Sequence, residues 1–430
     1  MTSPTMAART NSGSTEALEL DAESRLMSLI EKGHENFRKA QYQQALESWQ
    51  EALAMREERL GSDHPDTARI INAIGNAHNK LCEDKKALEC YMRALAIREK
   101  VLGPKHPDTA RALSNTGIVR HKLGDYTEAL ACHQRALSID MENPSVGPDH
   151  PDVARTLCDL GDVHDEMGQY SQALNSYRQA LGVQQKALGG GHPDVARALI
   201  GIGNVHIRRA AFQRAKDCYE KGLTIQEQTL GRGHPATATT LTNLGLALQK
   251  LGENVQALES HQRAVEVQRK ALGEKHPDVA RTLSHLGQAY EARGSLNEAQ
   301  TSHEEALKIR EELHGLEHPD IAYTYGRLGM LMRRKGDTHK ALEYLNLSLA
   351  ISEKTLGVDH LGTAIAAHNL GGVMQKLGEP EMAQQYLLRA AEGIKLALGD
   401  EHPFLQSNQD AQRRCNEELQ RRQEAAASAA

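Results

Sequence analysis

Nine histidines, at 64, 106, 150, 192, 234, 276, 318, 360 and 402, each stand three residues after a glycine, and eight of them are followed at once by proline. In six cases an aspartate comes next, as in GSDHPDTAR from Gly61 and GEKHPDVAR from Gly273. Imidazole beside carboxylate is the raw material of metal ligation, of general acid–base chemistry and of helix capping. Metal ligation shared between these places fails on distance. The histidines recur every 42 residues, with one interval of 44, and equivalent points on successive packed helical hairpins are about 10 Å apart or more, whereas zinc ligands converge to about 2 Å from the ion. No metal site is therefore expected from one histidine per corner. Catalysis also lacks its usual residue sets: there is no HExxH, GxSxG, Cys-x-x-Cys or phosphate loop, and EKTLG from Glu353 has the Lys-Thr pair without the preceding glycines. The chain is read as non-enzymatic, with no catalytic residues and no cofactor.

Capping chemistry remains. A glycine three residues before each histidine suits a left-handed position that ends a helix. Proline at the first position of the next helix loses no hydrogen bond, and the following aspartate favours the positive helix end. HPD is also the loop signature of J-domain co-chaperones, but there it occurs once and not as recurrent punctuation. Between corners, alanine recurs four residues after the histidine (Ala68, Ala110, Ala154, Ala196, Ala238, Ala280, Ala322, Ala364), and glycine eleven after it, from Gly75 to Gly371. A second alanine set lies 23 after it, from Ala87 to Ala383. Small residues at helical spacing mark places where two backbones approach, and turns such as KLGDYTEAL separate the two helices of each period. After Ile139 the segment DMENPSVGPDH is two residues longer than its siblings, and Pro144 is expected to stop that helix early. Ala210 stands where most periods have glycine, and Leu361 replaces the corner proline.

Composition agrees with many small cores. Hydrophobic residues make up 39% and aromatic residues 3% of the 430, with a mean hydropathy of -0.57. The net charge of -6 gives no overall attraction to nucleic acid, and no nucleic-acid partner is expected. No run of 18 apolar residues occurs, so no membrane insertion is expected. Six scattered cysteines (Cys82, Cys90, Cys132, Cys158, Cys218, Cys415) point to reduced packing thiols and a cytoplasmic location.

The Leu/Gly/Tyr/Ala/Ala framework and stretches such as LGEKHPDVARTLSHLG resemble the tetratricopeptide repeat (TPR) in its 42-residue form, as in kinesin light chains and nephrocystin-3-like proteins. The resemblance covers about residues 23 to 402. It implies an all-α fold, a right-handed α-solenoid of nine helical hairpins starting near 23, 65, 107, 151, 193, 235, 277, 319 and 361, followed by a capping helix at 403–424. Residues 1–22 and 425–430 are expected to be disordered. In the first repeat Gly33, Tyr42, Ala45, Trp49 and Ala52 keep the framework, and Phe404, Ala411, Cys415 and Leu419 form the apolar side of the cap.

The family pattern places one face of each first helix on a concave wall. That wall would hold Arg69, Asn72, Asn76, Lys80, Arg111, Asn115, Lys122, Arg155, Arg197, Asn204, Arg208, Asn243, Lys250 and Arg281. Arginine forks bind carboxylates, and amides bond an extended backbone, so these are the expected peptide-binding residues, for short, acidic linear segments of protein partners. Each arginine of the first-turn set follows an HPD aspartate by three residues, so self-pairing within the helix is the alternative use of that charge. Kinesin light chains bind aromatic-acidic cargo peptides in such a groove, which makes kinesin heavy chain or cargo the most specific partner the resemblance implies. With only about 22 residues before the first hairpin, the heptad coiled coil that pairs light with heavy chains is not expected. The carboxylate clamp of the heat-shock-organising repeats is matched at Asn76, Asn115 and Arg155 but not at Asn72 or Asp159. A regulatory module for a separately encoded enzyme and an assembly protein are the alternative functions.

Overall fold

The computed structural model describes residues 10–429, with side chains from 20 to 428. Among the described residues all regular structure is helical, and helices 16 to 19 residues long predominate. The first helices of the periods are α3 (Pro65–Lys80), α5 (Pro107–Lys122), α7 (Pro151–Glu166), α9 (Pro193–Arg208), α11 (Pro235–Leu251), α13 (Pro277–Arg293), α15 (Pro319–Lys335) and α17 (Leu361–Leu377). The second helices are α4 (Asp84–Leu102), α6 (Tyr126–Glu142), α8 (Tyr170–Leu188), α10 (Phe212–Thr229), α12 (Asn254–Leu272), α14 (Leu296–His314), α16 (Thr338–Leu356) and α18 (Pro380–Leu398). A hairpin of α1 (Thr10–Arg38) and α2 (Tyr42–Leu60) precedes them, and α19 (Pro403–Ala429) follows.

The chain divides into two packed units, residues 1–209 and 210–430. In each unit helices pack on their neighbours in the chain, and first helices also touch the first helices of the next period, as α5 does α7 and α11 does α13. Each unit is thus a stack of hairpins, an α-solenoid. The first-unit core includes Trp49, Ile70 and Ile74; the second includes Leu345, Leu370 and Leu387, closed by Leu405, Ala411 and Cys415 of α19. Among the described residues no helix is long and apolar enough to cross a membrane.

Small residues do what their spacing predicts. The alanines at both recurrent positions, from Ala68 to Ala383, are at most 3% exposed. Opposite the recurrent glycine lies one large side chain of the second helix: Tyr91 over Gly75, His133 over Gly117, Tyr177 over Gly161, His261 over Gly245, and Leu387 over Gly371. A Cβ on any of these glycines would come within 2.8 Å of its partner, so only glycine allows this helix separation.

The corners carry a capping role for histidine that residue type alone does not reveal. At all nine corners Nδ1 of the histidine accepts the backbone N–H two residues on, at 3.0 to 3.2 Å. Imidazole therefore takes the part usually played by Ser, Thr or Asp. The bond persists where the HPD pattern lapses, at Ala236, Gly362 and Phe404, so histidine is the constant element. The corner glycines differ from expectation in one respect. Gly61 has φ 83° and ψ 167°, an extended conformation open essentially to glycine alone and not the left-handed helical one. The left-handed helical geometry appears instead inside the hairpins, at Gly252 with φ 81° and ψ 6°. Ala40, Cys82 and Ala210 occupy the same turn at φ 56° to 59°.

Several boundaries shift. Helix α1 starts at Thr10 and α19 runs to Ala429, so the helical backbone reaches into both segments expected to be disordered; residues 1–9 and 430 lie outside the described residues. Helix α6 does end early, at Glu142 before Asn143 and Pro144. None of the six cysteines is in a disulfide, and Cys82 is exposed and so is not a packing residue. On α19 the inward face is Leu405, Asn408, Ala411 and Cys415, with Leu419 only half-buried.

Candidate functional site

Because the first helices touch one another, equivalent positions on them form rows. In the first unit Arg69, Arg111 and Arg155 share one row, with side chains 54 to 75% exposed. Each meets the aspartate three residues before it, at 3.5 Å for Asp66, 3.2 Å for Asp108 and 2.8 Å for Asp152. Such exposed pairs contribute little stability, and a guanidinium with one partner keeps other donors.

Arg197, in the same row, behaves differently. It turns away from Asp194 and reaches back to α7, 2.6 Å from Asp159 and 2.7 Å from Asp162. Burial by itself would lower its pKa, but the two carboxylates more than offset this and hold the guanidinium charged. Tyr177 donates its hydroxyl to Asp162 from behind. Arg208 likewise reaches Asp165 at 3.3 Å and Glu166 at 2.5 Å. Burial pushes the Asp165 carboxyl up to about 6 despite Arg208.

The amides of the wall are mostly engaged as well. Asn115 donates to Asn72 at 3.0 Å between α5 and α3, and Asn76 accepts from the Tyr91 hydroxyl at 2.7 Å, which leaves its N–H₂ free of that bond. Lys122 bonds Asn79 and lies 3.6 Å from Asp84. Asn204 and Asn243 also have bonded or charged neighbours. Lys80 is exposed.

A wall expected to carry cations and amides therefore carries acids too. Asp159, Asp162, Asp165 and Glu166 all project from α7 and neutralise the two arginines of α9. The open cationic row in this unit is Arg69, Arg111 and Arg155. Beside Arg69 lies a cavity of about 570 Å³ lined by Met27, Ile30, His34, Trp49, Arg56, Asp66 and Ile70. Its apolar residues come from α1, α2 and α3, and the first repeat's lack of an HPD corner gave no hint of it.

In the second unit Arg281 repeats the pattern, 2.8 Å from Asp278, and Lys250 is exposed. The hub of that wall is Glu291, which sequence reasoning missed. It accepts from buried His303 at 2.9 Å and from Arg327 at 2.9 Å, and Arg334 stands 3.5 Å away. Burial would raise the Glu291 pKa, but His303 and Arg327 hold it below the usual carboxylate range. On the same helix lies an open cleft of about 560 Å³ between α12, α13 and α14, with Leu283, Leu286 and Tyr290 at its base and Glu266, Arg269, Lys270 and Glu305 around it.

The tetratricopeptide repeat profile matches residues 26–100, 74–142, 143–186, 177–228, 194–258, 236–312, 284–354 and 320–395. No protein with a curated description matches the chain. Among solved structures, BtubC (BKLC) from P. vanneervenii is similar at 22% identity over 55% of this chain and 92% of its own, with a TM-score of 0.46. The nearly identical TPR-like repeats named as a kinesin light chain of Podosopora anserina are similar at 26% identity over 49% and 99%, with a TM-score of 0.43. The apo form of RapI is similar at 16% identity over 66% and 97%, with a TM-score of 0.51, a likeness of fold.

Proposed function

Because the chain belongs to the tetratricopeptide repeat family, whose members mediate protein–protein interactions, we propose that the first unit binds an extended acidic peptide along Arg69, Arg111 and Arg155, with one apolar side chain seated in the cavity beside Arg69. The carrying observation is that Arg69 belongs to both features: it opens the cationic row and lines the cavity of Met27, Ile30 and Trp49. A peptide with an aromatic anchor followed by carboxylates matches that order of surfaces. Arg197 and Arg208, held by the acids of α7, lie outside this site and act as internal ties. Asn72 and Asn115 brace the wall, and Asn76 offers its amide N–H to a peptide carbonyl. In the second unit, Lys250 and Arg281 extend the same chemistry. The molecule acts as a non-enzymatic scaffold or adaptor in this reading, a kinesin motor or its cargo being the most specific partner by resemblance. A cytoplasmic setting fits a chain whose six cysteines form no disulfide.

The test uses a peptide with one phenylalanine flanked by glutamates. Trp49 is the chain's single tryptophan and lines the cavity, so its emission reports occupancy. Titration should shift that emission, and binding should weaken at least tenfold in Arg111→Glu/Arg155→Glu and as salt rises. A double variant that binds the peptide as well as the parent, with unchanged salt dependence, sinks the proposal.

A further inference from the structure

Corners of different repeats are too far apart to share an ion, but the corner between α14 and α15 holds two imidazoles by itself. Four residues before the capping histidine, seven of the other corners have leucine and one has Val146; here the residue is His314. His314 and His318 stack with ring centroids 4.2 Å apart and planes at 15°. The backbone at this corner also differs from the others. His318 has φ -137°, against -75° to -82° at the corners of His64, His106, His150, His192, His234, His276 and His360.

Asp320 completes the group: one donor atom from each of His314, His318 and Asp320 lies within 4.8 Å of the others. His318 accepts the Asp320 N–H through Nδ1 at 3.2 Å, which fixes its ring and leaves Nε2 for a ligand. The Asp320 carboxylate, 59% exposed, is not used by that cap. Ligands on one tetrahedral ion stand about 3.3 Å apart, so side-chain rotation at this exposed corner closes the group without moving the helices. The adjoining cavity of about 230 Å³ is also lined by Arg281 and Arg310. Arg281 pairs with Asp278 and Arg310 donates to Thr324, while the charge of Asp320 also acts on Arg310.

We propose that His314, His318 and Asp320 form a surface site for a borderline divalent metal of the Zn²⁺ type. Two imidazoles and one carboxylate select such an ion over Ca²⁺ or Mg²⁺, which prefer oxygen ligands. Three protein ligands leave an open position for water or for a side chain of a bound protein.

The experiment measures Zn²⁺ uptake by tag-free, full-length protein after equilibrium dialysis, and the visible absorption of Co²⁺ as a geometry-sensitive substitute. Relative to the parent, His314→Leu, which installs the residue used at seven other corners, should bind one equivalent less Zn²⁺ and lose the Co²⁺ band. Asp320→Asn keeps the backbone cap and should weaken the site at least tenfold. Other surface histidines contribute equally to parent and variants and cancel in the difference. Equal uptake and equal Co²⁺ spectra in the parent and His314→Leu overturn the site. If His314→Leu loses helical circular dichroism, His318→Asn, whose amide oxygen can cap the helix, replaces it and must show the same loss of one equivalent.

Discussion

Gly75 lies against the ring of Tyr91 so closely that a Cβ on the glycine would stand 2.7 Å from Cε1. The tyrosine is only 2% exposed and has no room to withdraw. Gly75→Leu should therefore cost about 1 to 3 kcal/mol or more through overpacking, read as a lower urea midpoint. Gly182, inside α8, has nothing within 4 Å of its own Cβ position. Gly182→Ala should instead stabilise by about 0.5 to 1 kcal/mol. The two substitutions thus move the midpoint in opposite directions, and equal effects would refute the close-contact reading.

The histidine cap gives a second outcome. His106→Ala removes the acceptor for the Asp108 N–H, held at 3.1 Å, and should cost about 1 kcal/mol. His106→Asn, a good cap in its own right, should restore most of that loss. His106→Gln should leave peptide binding unchanged, since the corner lies outside the proposed groove. Thermal melts of the set, with the peptide titration alongside, separate capping from binding.

Acid should destabilise the second unit through buried His261 and half-buried His285. Burial, with the charge of His285, pushes the His261 pKa down to about 3 from 6.5; burial and nearby arginines push His285 down to about 4. A depressed base is protonated first in the unfolded chain. Its contribution is complete above pH 6.5 and is lost as pH falls from there toward 4 and 3. By pH 5 the loss is on the order of 2 kcal/mol per histidine. His261→Tyr copies the residue at the equivalent positions Tyr91 and Tyr177, so the variant should lose less stability between pH 7.5 and pH 5 than the parent, in parallel chemical melts.

Cys82 sits at φ 59°, where six other hairpin turns, at Gly124, Gly168, Gly252, Gly294, Gly336 and Gly378, use glycine at positive φ. Left-handed geometry costs a side-chain-bearing residue about 1 to 2 kcal/mol. Cys82→Gly should raise the melting temperature, corresponding to about 1 kcal/mol, and remove an exposed thiol. No change, or a decrease, would show that the turn carries no such strain.

Features that repeat were legible in the sequence. The hairpin, its corner and the close glycine contact recur every 42 residues, so spacing alone exposes them. The individual partners across repeats were not. Arg197 looks like Arg155 by position, yet only the side chains of Asp159 and Asp162 on the neighbouring helix decide that it faces inward while Arg155 stays with Asp152. Glu291 escaped notice for the same reason, since its partners His303, Arg327 and Arg334 come from two other helices. The capping use of histidine was hidden by the proline and aspartate beside it, whose own helix preferences already explained the corner.

Among the described residues, the main helix contacts within each unit are with helices one or two places away in the chain. No contact has to close a long loop, so order can spread along a unit from any hairpin, and melting begins where a neighbour is missing. Excision of residues 65–106, a single period of 42, would join α2 to α5 through an intact GSDHPD corner, His64 being followed directly by Pro107. The shortened protein should still fold, with a smaller denaturant slope in proportion to the surface it no longer buries. Such a chain can gain or shed whole periods during descent while each intermediate stays folded.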